Sequence, residues 1–89
     1  MIKCELTIVN KLGLHARAAA KLAATAGRFA SSIQTGRDGR LVDAKSVMSL
    51  MLLAAAQGTT LEFIFDGSDE TEAQESVAAL IAARFHEDS

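Results

Sequence analysis

Residues 11–22, KLGLHARAAAKL, set a lone histidine, His15, where a glycine-containing loop becomes an alanine-rich helix. Gly13 lies two residues before it and Arg17 two residues after it. A histidine there can simply be a surface residue that caps a helix. Ser, Thr, Asp or Asn would cap better, so His15 breaks a local preference and becomes a candidate for function. The first-turn amides of a helix have no intrahelical partner and carry a partial positive field. That field disfavours imidazolium and favours the neutral, nucleophilic ring. The same amides, from Ala16, Arg17 and Ala18, would receive a phosphoryl dianion. Arg17 adds a planar guanidinium that holds phosphoryl oxygens through paired hydrogen bonds, and Gly13 lets the loop approach closely. These residues together describe a phosphohistidine site. No second His, Asp or Cys stands at ligand spacing for a metal, and no Ser–His–acid set is visible.

The helix that must carry Arg17 runs from Ala16 to about Ala26, with Ala19, Leu22, Ala23 and Ala26 on one stripe and Gly27 as a left-handed stop. Before it, IKCELTIV alternates, with Ile2, Cys4, Leu6 and Ile8 facing one way, as in a half-buried strand. SSIQTGRDGRLVDA reads as two short strands around Asp38-Gly39. Ser46 opens a second helix that should end near Gly58. TTLEFIFDG is a strand with Leu61, Phe63 and Phe65 on its core face. Asp69 and Glu72 hold the N-cap and N3 positions of a capping box. The last helix buries Ala73, Val77, Leu80, Ile81 and Phe85, and HEDS should fray away as a polar tail. The order is β-α-β-β-α-β-α in a single domain spanning residues 1–89. Strands polar on one side and helices with one apolar stripe imply an α+β, two-layer, open-faced β-sandwich with all three helices on one face of a mixed or antiparallel sheet.

Composition narrows the classes. A net charge of −2 and the absence of Tyr and Trp argue against nucleic acid as a partner. One cysteine, Cys4, excludes an internal disulfide and any multi-cysteine metal site; its place in the strand pattern suggests a buried, inert thiol. The longest apolar run, around VMSLMLLAAA, is about half of the ~20 residues a membrane span needs, and MIKCELTIV lacks the apolar core of a signal peptide. A cytoplasmic protein without membrane insertion is the expectation.

NKLGLHARAAAKL together with DAKSVMSLMLLAAAQGT resembles the HPr family, the small phosphocarriers of bacterial phosphotransferase systems, across nearly the whole chain. The opening and closing stretches are similar to the nitrogen-related members (NPr) as much as to the sugar-related ones. The resemblance implies a four-stranded antiparallel sheet in the order 1-4-2-3. It also implies that His15 accepts a phosphoryl group on Nδ1 from enzyme I, itself charged by phosphoenolpyruvate, and passes it to an enzyme IIA protein, with Arg17 assisting and no cofactor. One departure is HARAA, with Ala18 where the family commonly has proline. Alanine leaves one more free amide and a looser helix start.

The second helix is apolar on more than one face, so Val47, Met48 and Met51 should stay partly exposed as a docking surface, a use that methionine's flexibility suits. Ser46 is its N-cap. The resemblance adds a second reading for Ser46, as the target of an HPr kinase/phosphorylase. A relay that presents one face to successive partners works as a monomer. Two readings from other classes compete. A small ligand-sensing or interaction domain would not need histidine and arginine at a helix mouth, and a metal carrier would want two thiols near the first helix.

Overall fold

Alternating side chains account for the sheet. The computed structural model describes residues 1–87. Its elements are β1 (Ile2–Thr7), α1 (Ala16–Gly27), β2 (Ser32–Arg37), β3 (Arg40–Asp43), α2 (Val47–Leu52), β4 (Thr60–Asp66) and α3 (Glu70–Ala82), followed by a 3-10 turn at Arg84–His86. The strands lie in the order β1-β4-β2-β3, and each neighbouring pair is antiparallel. Registers join the core-facing residues across strands: Ile2, Phe65 and Ile33 in one row, Cys4, Phe63 and Thr35 in the next. Phe63 and Phe65 are fully buried and stacked, with ring centroids 5.9 Å apart. Each such side chain contributes about 2 kcal/mol by leaving water. Asp38 (φ 56°) and Gly39 (φ 77°) form the left-handed pair that a two-residue hairpin requires.

The helices cover this face. α1 buries Ala18, Ala19, Leu22, Ala23 and Ala26, and α3 buries Ala73, Val77, Leu80 and Ile81. The element order, the core faces of β1 and β4 and the stripe of α1 follow the sequence reading, and so does that of α3 except that Phe85 is buried beyond the helix end, in the 3-10 turn.

Five local expectations are corrected. Gly27 is the last helical residue rather than a left-handed stop. The end tightens through Arg28 N–H to Thr25 O and Phe29 N–H to Ala26 O, both 3.2 Å, with Arg28 right-handed. α2 spans six residues and stops well before Gly58, because left-handed Ala54 (φ 50°) turns the chain toward the loop before α1. Asp69 is the N-cap of α3 but forms no capping box. Its carboxylate instead accepts from Ala30 N–H and Ser31 N–H, each at 2.9 Å, and from the Ser31 hydroxyl. Those bonds, the Ser31 hydroxyl foremost, hold the Asp69 carboxyl below its ordinary range and fasten the α1–β2 loop to α3. Cys4 is half-buried rather than buried. The tail does not fray at its start: His86 closes the 3-10 turn and Glu87 folds back onto the first loop, whereas residues 88–89 lie outside the described part.

Candidate functional site

His15 is aimed by the loop that leaves β1. Ile8 pairs its backbone with the chain ahead of β4, donating to Thr59 O (2.9 Å) and accepting from Gly58 N–H (2.7 Å). The loop then closes on itself, with Gly13 N–H donating to Asn10 O (3.2 Å), and docks through Leu14 N–H to Ala55 O (2.8 Å). Gly13 (φ +70°) is where the docking is tightest: a Cβ there would stand 2.5 Å from Ala55 O and 2.9 Å from Ala56 Cα. His15 follows as the N-cap of α1, in extended conformation, and its side chain makes no capping bond. The first helical bond runs from Ala19 N–H to His15 O (2.8 Å), so the amides of Ala16, Arg17 and Ala18 precede the ladder.

The imidazole is 29 % exposed, and its Nε2 meets the Glu87 carboxylate. Nδ1 makes no hydrogen bond among the described residues. Glu87 reaches the ring because Arg84, Phe85 and His86 all adopt left-handed backbone (φ 56°, 54° and 61°), which reverses the chain after α3. Left-handed conformation costs non-glycine residues about 1–2 kcal/mol each. The anchors that offset it are the fully buried Phe85 ring and Lys21 Nζ, which donates to Phe85 O at 2.6 Å. Buried Asn10 joins tail to loop, its Nδ2 donating to Gly13 O (2.8 Å) and to Glu87 Oε1 (3.0 Å). The Asn10 hydrogen bond, then the His15 one, pulls the Glu87 carboxyl below its ordinary range. The contact is therefore complete above that range and is lost as pH falls through the lowered value.

Leu12, His15, Ala16, Arg17, Lys21, His86 and Glu87 line one open cleft. Arg17 is exposed and makes no ion pair among the described residues. Ala18 is fully buried in the core and does not line the cleft, whereas Ala16 and Arg17 do. His15 and Arg17 line the same cleft. Sequence reasoning missed Asn10 and Glu87. Glu87 stands two residues after Phe85, the last apolar residue before the tail, and a buried phenyl there keeps the following residues close to the body. No group of three or more metal-ligating side chains occurs among the described residues.

On α2, Met48 (78 % exposed), Met51 and Leu52 (83 % exposed) share a face, as i, i+3 and i+4 spacing requires. Val47 is half-buried against the core, one turn before buried Leu50, and so belongs to the inner face. Exposed Leu12 in the cleft wall and Leu52 were not singled out from sequence. Ser46 caps α2, its Oγ accepting from Ser49 N–H at 3.3 Å. Among the described residues no helix is long and apolar enough to cross a membrane.

Residues 2–83 match the family described as "PTS HPr component phosphorylation site". The chain belongs to the HPr family. Among HPr relatives, the Phosphocarrier protein HPr of Cupriavidus necator is 54 % identical over 87 residues, covering 98 % of each chain. The crystal structure of HPr-C-His from Thermoanaerobacter tengcongensis superposes with a TM-score of 0.95 at 39 % identity, covering both chains completely. An HPr dimer from the same organism gives 0.78 at 40 % identity, covering 98 % of this chain and all of that one. The HPr fold thus accounts for the 1-4-2-3 sheet and its three helices.

Proposed function

We propose that this phosphocarrier accepts its phosphoryl group on Nδ1 of His15 from a phosphorylated enzyme I, charged by phosphoenolpyruvate, and delivers it to an enzyme IIA protein. One arrangement carries the reading: His15 occupies an N-cap without capping, with its Nδ1 free of hydrogen-bond partners among the described residues and Arg17 at the same cleft. The Nδ1 lone pair forms the P–N bond while the donor's bond to phosphorus breaks and its electron pair leaves with the donor. The amides of Ala16 and Arg17 and the Arg17 guanidinium compensate the phosphoryl charge, and the reverse step loads the acceptor. Positioning and charge neutralisation are what phosphoryl transfer asks of a protein. The carrier works in the cytoplasm, as a monomer and without a cofactor. Incubation with phosphoenolpyruvate and enzyme I tests the reading: acid-labile phosphate on His15 supports it, and none on this residue refutes it.

The exposed face of Met48, Met51 and Leu52, extended by Leu12, docks donor and acceptor in turn. Met48→Glu puts an uncompensated carboxylate where partners must exclude water, so affinity for enzyme I should fall about tenfold in calorimetric titration. Equal affinities would remove this face from the interface.

Ser46 is proposed as a regulatory target of an HPr kinase/phosphorylase. A phosphate adds about −1.5 to −2 charges at the edge of that docking face. Ser46→Asp retains a good N-cap residue, so the melting temperature should hold. Loading of His15 at subsaturating enzyme I should slow severalfold. A wild-type loading rate would leave Ser46 a cap only.

A further inference from the structure

We propose that the cleft between the β2–β3 hairpin end and the C-terminal end of α2 is an anion site, separate from the His15 cleft, in which Arg37 and Arg40 take the phosphate of a small phosphomonoester. A conflict in the sheet points to it. Arg37 and Arg40 are register partners in the last pair before the Asp38-Gly39 turn, so their side chains leave the same face of the hairpin. Like charges directly opposite one another destabilise an antiparallel pair. Neither arginine forms an ion pair among the described residues, although Asp38 lies between them in the chain. A local rule broken without a structural gain marks a candidate for function.

The two arginines line an open cleft of about 460 Å³ with Asp38, Leu52, Leu53 and Ala54, and it shares no residue with the cleft at His15. One guanidinium is already aimed: Arg37 Nη2 donates to Leu53 O at 3.2 Å. A guanidinium carries several N–H donors in a fixed fork, so most of them remain for a ligand. That bond also covers a carbonyl at the C-cap of α2, where the helix end would otherwise repel an anion. Leu50 O and Met51 O are likewise taken, by Leu53 N–H and Ala54 N–H, both at 3.1 Å. The Asp38 carboxylate lines the cleft too, but it is outnumbered by the two guanidiniums and pairs with neither. A carboxylate ligand has two oxygens and saturates with one arginine fork, whereas a phosphate presents three strong acceptors that two forks can share. Exposed Leu52 and buried Leu53 form an apolar wall beside the guanidiniums, which suits an ester with an apolar body better than free phosphate.

The test titrates the full chain with phenyl phosphate and with inorganic phosphate, at constant ionic strength made up with chloride. Backbone amides and arginine Nε–H groups are followed by 15N NMR. Phenyl phosphate should give saturable shifts at residues 37–40 and at both Nε–H groups, with severalfold tighter binding than inorganic phosphate. Arg37→Gln and Arg40→Gln should each weaken it about tenfold. Arg40→Glu should abolish it and yet raise the melting temperature by about 3 °C, because an opposed arginine–glutamate pair replaces the like pair. A site held at the expense of stability predicts that combination. Shifts that grow linearly, or that chloride alone reproduces, would overturn the site. Shifts confined to Ala16 and Arg17 would also overturn it, by placing the anion at the His15 cleft alone. Equal affinity for the two probes would overturn the choice of an ester and assign the site to free phosphate. An unchanged or lower melting temperature in Arg40→Glu would remove the conflict from which the site is inferred.

Discussion

Replacing His15 by alanine should abolish acid-labile labelling from phosphoenolpyruvate and enzyme I, a loss limited only by detection, while the fold survives. The imidazole makes no capping bond, and its hydrogen bond to Glu87 joins two residues at the surface of the cleft, so its removal opens no core cavity. The amides of Ala16 and Arg17 and the guanidinium of Arg17 remain, but a cradle without a nucleophile forms no P–N bond. His86 supplies the control. It lines the same cleft, so labelling that persisted in His15→Ala and disappeared in a His15→Ala/His86→Ala protein would move the acceptor to the 3-10 turn. Unfolding curves for parent and variant should nearly coincide.

Gly13→Ala should be the most damaging single methyl in the loop. Its added Cβ would stand 2.5 Å from Ala55 O and 2.9 Å from Ala56 Cα, both backbone atoms that cannot rotate aside. The left-handed backbone adds about 1 kcal/mol for any L side chain, and overpacking typically costs about 1–3 kcal/mol. A loss of about 3 kcal/mol would lower the melting temperature of a domain this small by roughly 15 °C. Gly39→Ala separates the two causes. Gly39 has the same hand of backbone (φ +77°) and nothing within 4 Å of its would-be Cβ, so it should suffer the conformational part alone. Equal unfolding midpoints for the two variants would show that the loop yields freely to Ala55. If the loop is as tightly docked as its bonds indicate, Gly13→Ala should also slow loading of His15, because the N-cap residue moves with it.

The sheet and the two longer helices were legible because their signals are local and repeat. Ile2, Cys4 and Leu6 alternate, Leu61, Phe63 and Phe65 alternate, and Ala19, Leu22, Ala23 and Ala26 keep one helical stripe. His15 and Arg17 were legible for a different reason: a residue poorly suited to capping stood where a cap belonged. What could not be read depended on distant partners. Asp69 has the spacing of a capping residue, but Ala30 and Ser31 offer its carboxylate three donors, and those bonds take it instead. α2 carries enough apolar residues for a longer helix, but Ala55 O bonds Leu14 N–H only if the chain turns at Ala54. Glu87 belongs to a stretch whose composition says solvent. Its place is set by Asn10 and His15, more than seventy residues earlier in the chain.

The position of β4 between β1 and β2 has a kinetic consequence. Among the described residues β1 has no neighbour but β4, which is made of residues far along the chain, whereas β2 and β3 can zip locally around Asp38-Gly39. Pairings between distant segments form slowly, because the chain must lose loop entropy before any contact compensates it. The hairpin and helical turns should therefore assemble first, with the insertion of β4 late. The same event draws Gly58 and Thr59 onto Ile8 and Ala55 onto Leu14, which shapes the loop that aims the histidine. A chain caught before that step has the nucleophile but not its setting. On the proposed function, loading competence should therefore arrive only with the completion of folding, which pulsed labelling of refolding chains would check.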